Sequence, residues 1–155
     1  MEDGPSGDPE NVRYLYFVNC HLHSLLEDDY LRKTQAEMML FWLDQVVNFE
    51  RDLVIIVGDF NAKPDSTTYK AFLDAGYTSS YAHIHGKEPD RTFPTGLIAE
   101  FMDTDPEGTF DYIFAKGHGF EIKDAKLMSD LPHDTDKTIF GSDHMAIVAD
   151  FEIAL

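Results

Sequence analysis

Four short polar clusters in this 155-residue chain hold the residue types that hydrolytic and metal chemistry use: Asn19-Cys20-His21, Gly58-Asp59-Phe60-Asn61, Asp111-Tyr112 and Ser142-Asp143-His144. Hard divalent cations select carboxylate and amide oxygens of the kind Asp59, Asn61 and Asp143 offer. Each cluster also has a plainer reading. Asp59-Phe60-Asn61 fits a turn in which Asp and Asn bond their own backbone. As a calcium loop it fails, because Lys63 and Pro64 stand where the next ligand and the glycine belong. His21-x-His23 and His83-x-His85 have a strand-like spacing that turns both rings to one side, a pattern a zinc site can use. The second pair falls in a stretch that reads as solvated loop, and His23 reads as incidental. Cys20, the sole cysteine, reads as a small buried residue, since nothing beside it stabilises a thiolate.

The elements that must position these clusters can be read from periodicity. Arg13 to Asn19 is β-branched and aromatic and runs into a polar loop at Cys20-His21-Leu22-His23, as a strand does. From about Asp29 to Phe49, Ala36, Met39, Leu40, Leu43, Val46 and Val47 recur at helical spacing, the mark of a helix with one buried face. Met38, Phe41 and Trp42 on the same helix read as packing residues. Leu53-Val54-Ile55-Ile56-Val57 is a continuous apolar run before Gly58, the pattern of a central strand covered on both faces. After Pro64, Asp65 or Ser66 can cap a helix reaching Ala75, with Gly76 placed to end it. Residues 77–108 show no sustained period and read as a long surface loop. Thr109 to Phe114 and Phe120 to Leu127 read as strands, Ser129 to Gly141 as a second loop, and the alternation from Met145 to Ile153 as a last strand. The clusters thus lie where strands meet loops, and side chains at one edge of a sandwich can converge on a point.

At 43% hydrophobic and 13% aromatic residues the chain suits one globular unit with a core. Residues 1–11 are acidic and rich in Gly and Pro and read as a disordered tail, leaving 12–155 as the domain. Twelve basic residues against 29 acidic ones give a formal charge of -17. That charge repels polyanions and argues against a free-standing nucleic-acid binder, although cations bound at a site reverse the field locally. A single cysteine suits a reducing compartment, so an intracellular location, cytoplasmic or nuclear, is favoured. No run approaches the roughly 18–20 apolar residues of a membrane span, and no membrane partner is expected.

Gly58-Asp59-Phe60-Asn61-Ala62 followed by Pro64 resembles the G-D-F-N-x-x-P signature of the endonuclease/exonuclease/phosphatase superfamily, and Ser142-Asp143-His144 resembles its terminal S-D-H. Asn19-Cys20-His21-Leu22 is similar to the N-T-H-L element with Cys in place of Thr, and Phe110-Asp111-Tyr112-Ile113 to the x-D-Y-I strand. Any one is weak; four in the expected order are specific. The spacing after Pro64 and the apolar strand after His144 look most similar to the nocturnin-like and deadenylase-like branch.

The resemblance implies an α/β fold: a mainly antiparallel β-sandwich flanked by helices, the four-layer DNase I-like architecture, of which this chain is the second half. It implies a metal-dependent phosphodiesterase or phosphatase, nuclease-like, with Mg²⁺ (or Mn²⁺) as cofactor. Asp59 would orient or deprotonate the attacking water, and Asn61 would hold that nucleophile and the phosphate. His144 would contact the scissile phosphate, Asp111 would hold the His144 ring, and His21 would stabilise charge on a phosphate oxygen. Asp143, with Asp59 and Asn61, would ligate the metal. Arg91, in Arg91-Thr92-Phe93, lies where branch members carry a short Thr-aromatic stretch, and would reach a phosphate. The expected partner is a phosphoester substrate, single-stranded RNA or a nucleotide rather than duplex DNA. Family domains are roughly twice this long, and their first half carries a metal-binding Glu. The expectation is therefore that one core face needs a missing N-terminal half or a partner chain to cover it, with weak metal binding and little turnover in isolation. The rival is a catalytically incomplete half-domain acting as a binding or regulatory fragment.

Overall fold

The computed structural model describes residues 12–98, 100, 104–128 and 131–154; the expected tail at 1–11 lies outside the described residues. Strand β1 (Leu15–His21) is followed by helix α1 (Asp29–Val46), strand β2 (Leu53–Asp59), helix α2 (Thr67–Asp74), the short strand β3 (Thr78–Ser79) and helix α3 (Ser80–His85). Strands β4 (Asp111–Gly117), β5 (Phe120–Leu127) and β6 (Ile147–Ile153) complete the order.

An 18-residue helix between β1 and β2 is a crossover long enough to return the chain in the same direction, so the two strands pair in parallel. β4 then runs antiparallel to β2 and β3 antiparallel to β4, giving the sheet order β1-β2-β4-β3. β5 and β6 form a separate antiparallel pair. The sheet is mixed and the pairing mainly antiparallel, as an α/β sandwich with flanking helices requires.

The apolar run of β2 explains its central place. Val54 and Ile56 turn to one face, where α1 and α2 pack through Ala36, Leu43 and Phe72. Leu53 and Ile55 turn to the other, against Phe120, Phe151 and Ile153 of the β5–β6 pair. The first core is aromatic: Phe72 stacks on Phe114 with centroids 4.8 Å apart, and Phe60 meets Phe72 edge-on at 5.0 Å. Phe60, 1% exposed, is the anchor that pins the turn carrying Asp59 and Asn61 to this core. The second face is covered unevenly. Phe17 on edge strand β1 remains 65% exposed, and a groove of about 510 Å³ runs between β1, β2, β4 and β6, lined by Phe17, Ile55, Val57, Ile113 and Val148.

Four expectations change. β1 runs from Leu15 through His21 rather than from Arg13 to Asn19, so Cys20 and His21 belong to the strand and not to the loop, because they pair with Gly58 and Asp59 of β2. α1 ends at Val46, not Phe49, because Val47 turns extended, and Val46 is 44% exposed. Met38, Phe41 and Trp42 do not pack: they are exposed on the far side of the helix from Ala36 and Leu43, since 100° per residue carries these positions away from the sheet. Residues 77–108 are not all loop. Their start folds into β3 and α3, whose end at Gly86 adopts a left-handed conformation (φ 76°). β3 was too short, and α3 too polar, to show a period. For α2 the cap is Ser66, whose hydroxyl accepts the Tyr69 N–H at 3.0 Å. Among the described residues no helix is long and apolar enough to cross a membrane.

Candidate active site

Strand register builds the site. His21 is paired with Asp59 across β1–β2, and Asp59 with Asp111 across β2–β4, so three titratable side chains stand in one row at the edge of the sheet. Close approach of the strands requires Gly58: its φ is +139°, and a Cβ there would lie 1.8 Å from the Cys20 carbonyl oxygen. Beyond Asp59 the chain turns through Asn61, a non-glycine residue at φ 49°, a conformation Asn tolerates. Its backbone N–H donates to Asp59 Oδ1 at 2.8 Å, and its side-chain amide donates to the Leu22 carbonyl at 3.0 Å. The backbone-bonding turn and the chemical cluster are therefore the same structure.

His144 completes the group from the loop before β6. Its Nδ1 lies 2.8 Å from Asp111 Oδ2 and its Nε2 3.8 Å from Asp59 Oδ2, while His21 Nε2 approaches the same Asp59 oxygen at 3.7 Å. The Phe93 ring flanks His144 at a centroid distance of 5.0 Å. The hydrogen bond to Asp111 raises the pKa of His144, reinforced by the charges of Asp111, Asp59 and Asp143. Burial, together with the Asp111 carboxylate, raises the pKa of Asp59, which makes it a stronger base than a solvated carboxylate. Cys20, half-buried beside Asp59, has its thiol pushed up to about 12 by desolvation and by the Asp59 charge and is inert as a nucleophile.

Asp59, Asp111 and His144 each offer a ligand atom within 4.8 Å of one another. The donor chemistry fits a hard divalent cation: two carboxylates crowd together, and the charge of Asp111 disfavours ionisation of Asp59, a repulsion that a cation relieves. Of the other expected ligands, Asn61 stands in the same turn, whereas Asp143 lies outside this group of three and accepts from the Ser142 hydroxyl at 3.2 Å. Arg91 pairs with Glu107 at 3.4 Å on the loop before Thr92. His23 bonds Asp28 at 3.1 Å. His83 and His85 lie on helix α3, where residues two apart diverge, and His85 reaches the Ala125 carbonyl at 2.6 Å. The strand-like premise for that pair is thereby corrected. Thr92 and Thr95 bond the backbone on either side of the dyad; the resemblance marked their Thr-aromatic stretch as near a substrate but gave neither threonine this role.

The Asp111–His144 bond has a pH signature. A histidine whose folded pKa is raised adds stability that is fully present below its unfolded pKa and lost as pH rises through the folded value. In chelator-containing buffer, Asp111→Asn should therefore lower the melting temperature most at about pH 6 and progressively less towards about pH 9. Melts recorded across this range check the claim; a deficit independent of pH would refute it.

With this geometry in view, the relatives can be placed. The family model of the Endonuclease/Exonuclease/phosphatase family matches residues 2–144, and the chain belongs to this family. Nocturnin of Xenopus laevis is 26% identical over 147 residues, covering 92% of this chain and 38% of that protein. The human nocturnin catalytic domain, solved with a bound sulfate anion, superimposes with a TM-score of 0.67 at 25% identity over 88% of this chain and 46% of that one. D. rerio TDP2, solved with a single-strand DNA product, gives a TM-score of 0.68 at 19% identity over 89% of this chain and 56% of that one, and shares the fold. The chain thus spans about half or less of the length of these relatives, and its resemblance to the nocturnin-like branch holds.

Proposed function

We propose that the chain carries a phosphoester-hydrolase site that acts by in-line attack of water on phosphorus. The observation that supports this most directly is the dyad of Asp111 and His144, 2.8 Å apart, facing Asp59 at the sheet edge. In this reading Asp59, whose Oδ2 is the oxygen that His21 and His144 both face, takes the proton of the attacking water as the new P–O bond forms. His144, held by its hydrogen bond to Asp111, donates through Nε2 to a phosphoryl oxygen, and His21 donates to another as negative charge builds. The ester P–O bond then breaks and the leaving oxygen departs. Asn61 keeps Asp59 oriented through its backbone N–H. Mg²⁺ or Mn²⁺ would be held by Asp59 and Asp111, with Asn61 and Asp143 as further candidate ligands, and when bound supplies Lewis-acid stabilisation of charge on the phosphoryl oxygens. The substrate class that fits is a small or single-stranded phosphoester, an RNA strand or a nucleotide, because a chain of formal charge -17 repels duplex DNA. A tetrahedral oxyanion on human nocturnin and a DNA strand on TDP2 are compatible with that class.

A second reading, favoured by the open groove beside Phe17, is a half-domain whose turnover needs a further segment or partner chain on that face. Hydrolysis of bis(p-nitrophenyl) phosphate by the 155-residue chain, with Mg²⁺ or Mn²⁺ and then with chelator, separates the two. Turnover abolished by chelator is the expected result. A folded chain that binds Mn²⁺ but turns nothing over would select the half-domain, and turnover indifferent to chelator would overturn the metal's role.

A further inference from the structure

We infer that Thr92 is a positioning residue for the Asp111–His144 pair, tying both partners to one buried point. Asp111 opens strand β4, whereas His144 precedes β6, which begins only at Ile147. Among the described residues, therefore, no strand ladder includes the backbone that carries the imidazole. Thr92, fully buried, reaches both. Its Oγ1 accepts from the backbone N–H of Phe110 at 2.9 Å and of Asp111 at 3.2 Å, and its carbonyl accepts from the Met145 N–H at 2.7 Å. Its own N–H donates to the Gly108 carbonyl at 2.8 Å. The next residues continue the strap. Phe93 packs on the His144 ring, the Thr95 N–H donates to the Asp143 carbonyl at 2.7 Å, and Thr95 Oγ1 donates to the Ser142 carbonyl at 2.7 Å.

Residues 92–95 thus bind the backbone of Ser142, Asp143 and Met145 on one side and that of Phe110 and Asp111 on the other. The 2.8 Å imidazole–carboxylate bond joins residues 33 positions apart, and its length is set by this strap. Thr92 touches no reacting atom. It acts by holding two groups that must meet within a few tenths of an ångström, where small misplacements cost large factors in rate. The catalytic consequence rests on the hydrolase reading above, whereas the geometric one does not.

The test compares Thr92→Val, which keeps the shape and removes the hydroxyl, with Thr92→Ser, which keeps the acceptor. In ¹H NMR of the full chain the His144 Nδ1 proton should give a downfield resonance that Thr92→Ser retains and Thr92→Val loses. On bis(p-nitrophenyl) phosphate, Thr92→Val should lower kcat by about 10- to 100-fold with KM within about twofold, and Thr92→Ser should restore it. A folded Thr92→Val with the resonance at wild-type intensity overturns the strap, whatever the activity. A wild-type chain that hydrolyses nothing, yet shows the resonance lost and restored in this way, supports the strap while the hydrolase reading fails. If Thr92→Val does not fold, hydrogen exchange in the wild type decides. Slow exchange, at similar rates, of the Asp111 and Met145 amide protons supports the strap, and open-loop rates at either overturn it.

Discussion

Asp59→Asn is expected to lower kcat for phosphodiester hydrolysis by about 10³-fold or more while leaving the fold intact. The substitution is isosteric, and the oxygen that accepts the Asn61 N–H at 2.8 Å survives as an amide oxygen, so the turn keeps its shape. The charge and the basicity are lost. Asp59 Oδ2 is the atom that both His21 and His144 face, at 3.7 and 3.8 Å, and the Asp59 carboxylate is one of the two that would hold a cation. An amide can neither accept the proton of water nor supply the negative charge a divalent ion needs. Initial rates on bis(p-nitrophenyl) phosphate, with circular dichroism to confirm the fold, measure the effect. A variant keeping a tenth or more of the wild-type rate would remove Asp59 from the role of base and place the chemistry elsewhere.

Gly58→Ala is expected to cost more than about 4 kcal/mol, a large part of the roughly 5–15 kcal/mol that holds an ordinary domain folded. A methyl group there would meet the Cys20 carbonyl oxygen at 1.8 Å and the Cys20 backbone nitrogen at 3.1 Å. The obstacle is backbone of a paired strand, not the end of a flexible side chain. The φ of +139° adds strain for any side chain. Relief requires β1 to move off β2 at Cys20↔Gly58, which also breaks the neighbouring His21↔Asp59 register. Urea unfolding followed by circular dichroism measures it. A loss below about 1 kcal/mol would mean that the strands separate at this point without penalty and that the glycine has no steric duty.

Both predictions fall within one motif, and that motif shows how much a sequence can disclose. Gly58-Asp59-Phe60-Asn61 was legible as chemistry because its residue types are unusual together at the end of an apolar run. Each position has a distinct physical reason: close strand contact at Gly58, a charge at Asp59, a core anchor at Phe60 and a left-handed turn at Asn61. The α1 stripe was legible: Ala36, Leu43 and Val47 are buried, Met39 and Leu40 pack partly against the core, and Val46 alone of the six turns outward. The separate expectation that Met38, Phe41 and Trp42 pack was misleading. Met38, Phe41 and Trp42 are as apolar as core residues, and only the direction of the sheet decides that they face outward. β3 and α3 were invisible because a two-residue strand has no period and depends on β4 for its existence.

By itself the sequence determined the strand and helix order of the larger elements, the continuous run that had to be a central strand, and which residues at strand ends could do chemistry. These follow from local propensity and hydrophobic period, which need no knowledge of distant residues. Tertiary structure alone decided that His21, Asp59 and Asp111 share one row across three strands. It alone also brought His144 to within 2.8 Å of Asp111 and made Thr92 the buried residue whose hydroxyl meets the Asp111 backbone and whose carbonyl meets that of Met145. Register, crossover and loop closure join residues dozens of positions apart, and no local pattern encodes the distance between two side chains that only the packed core brings together.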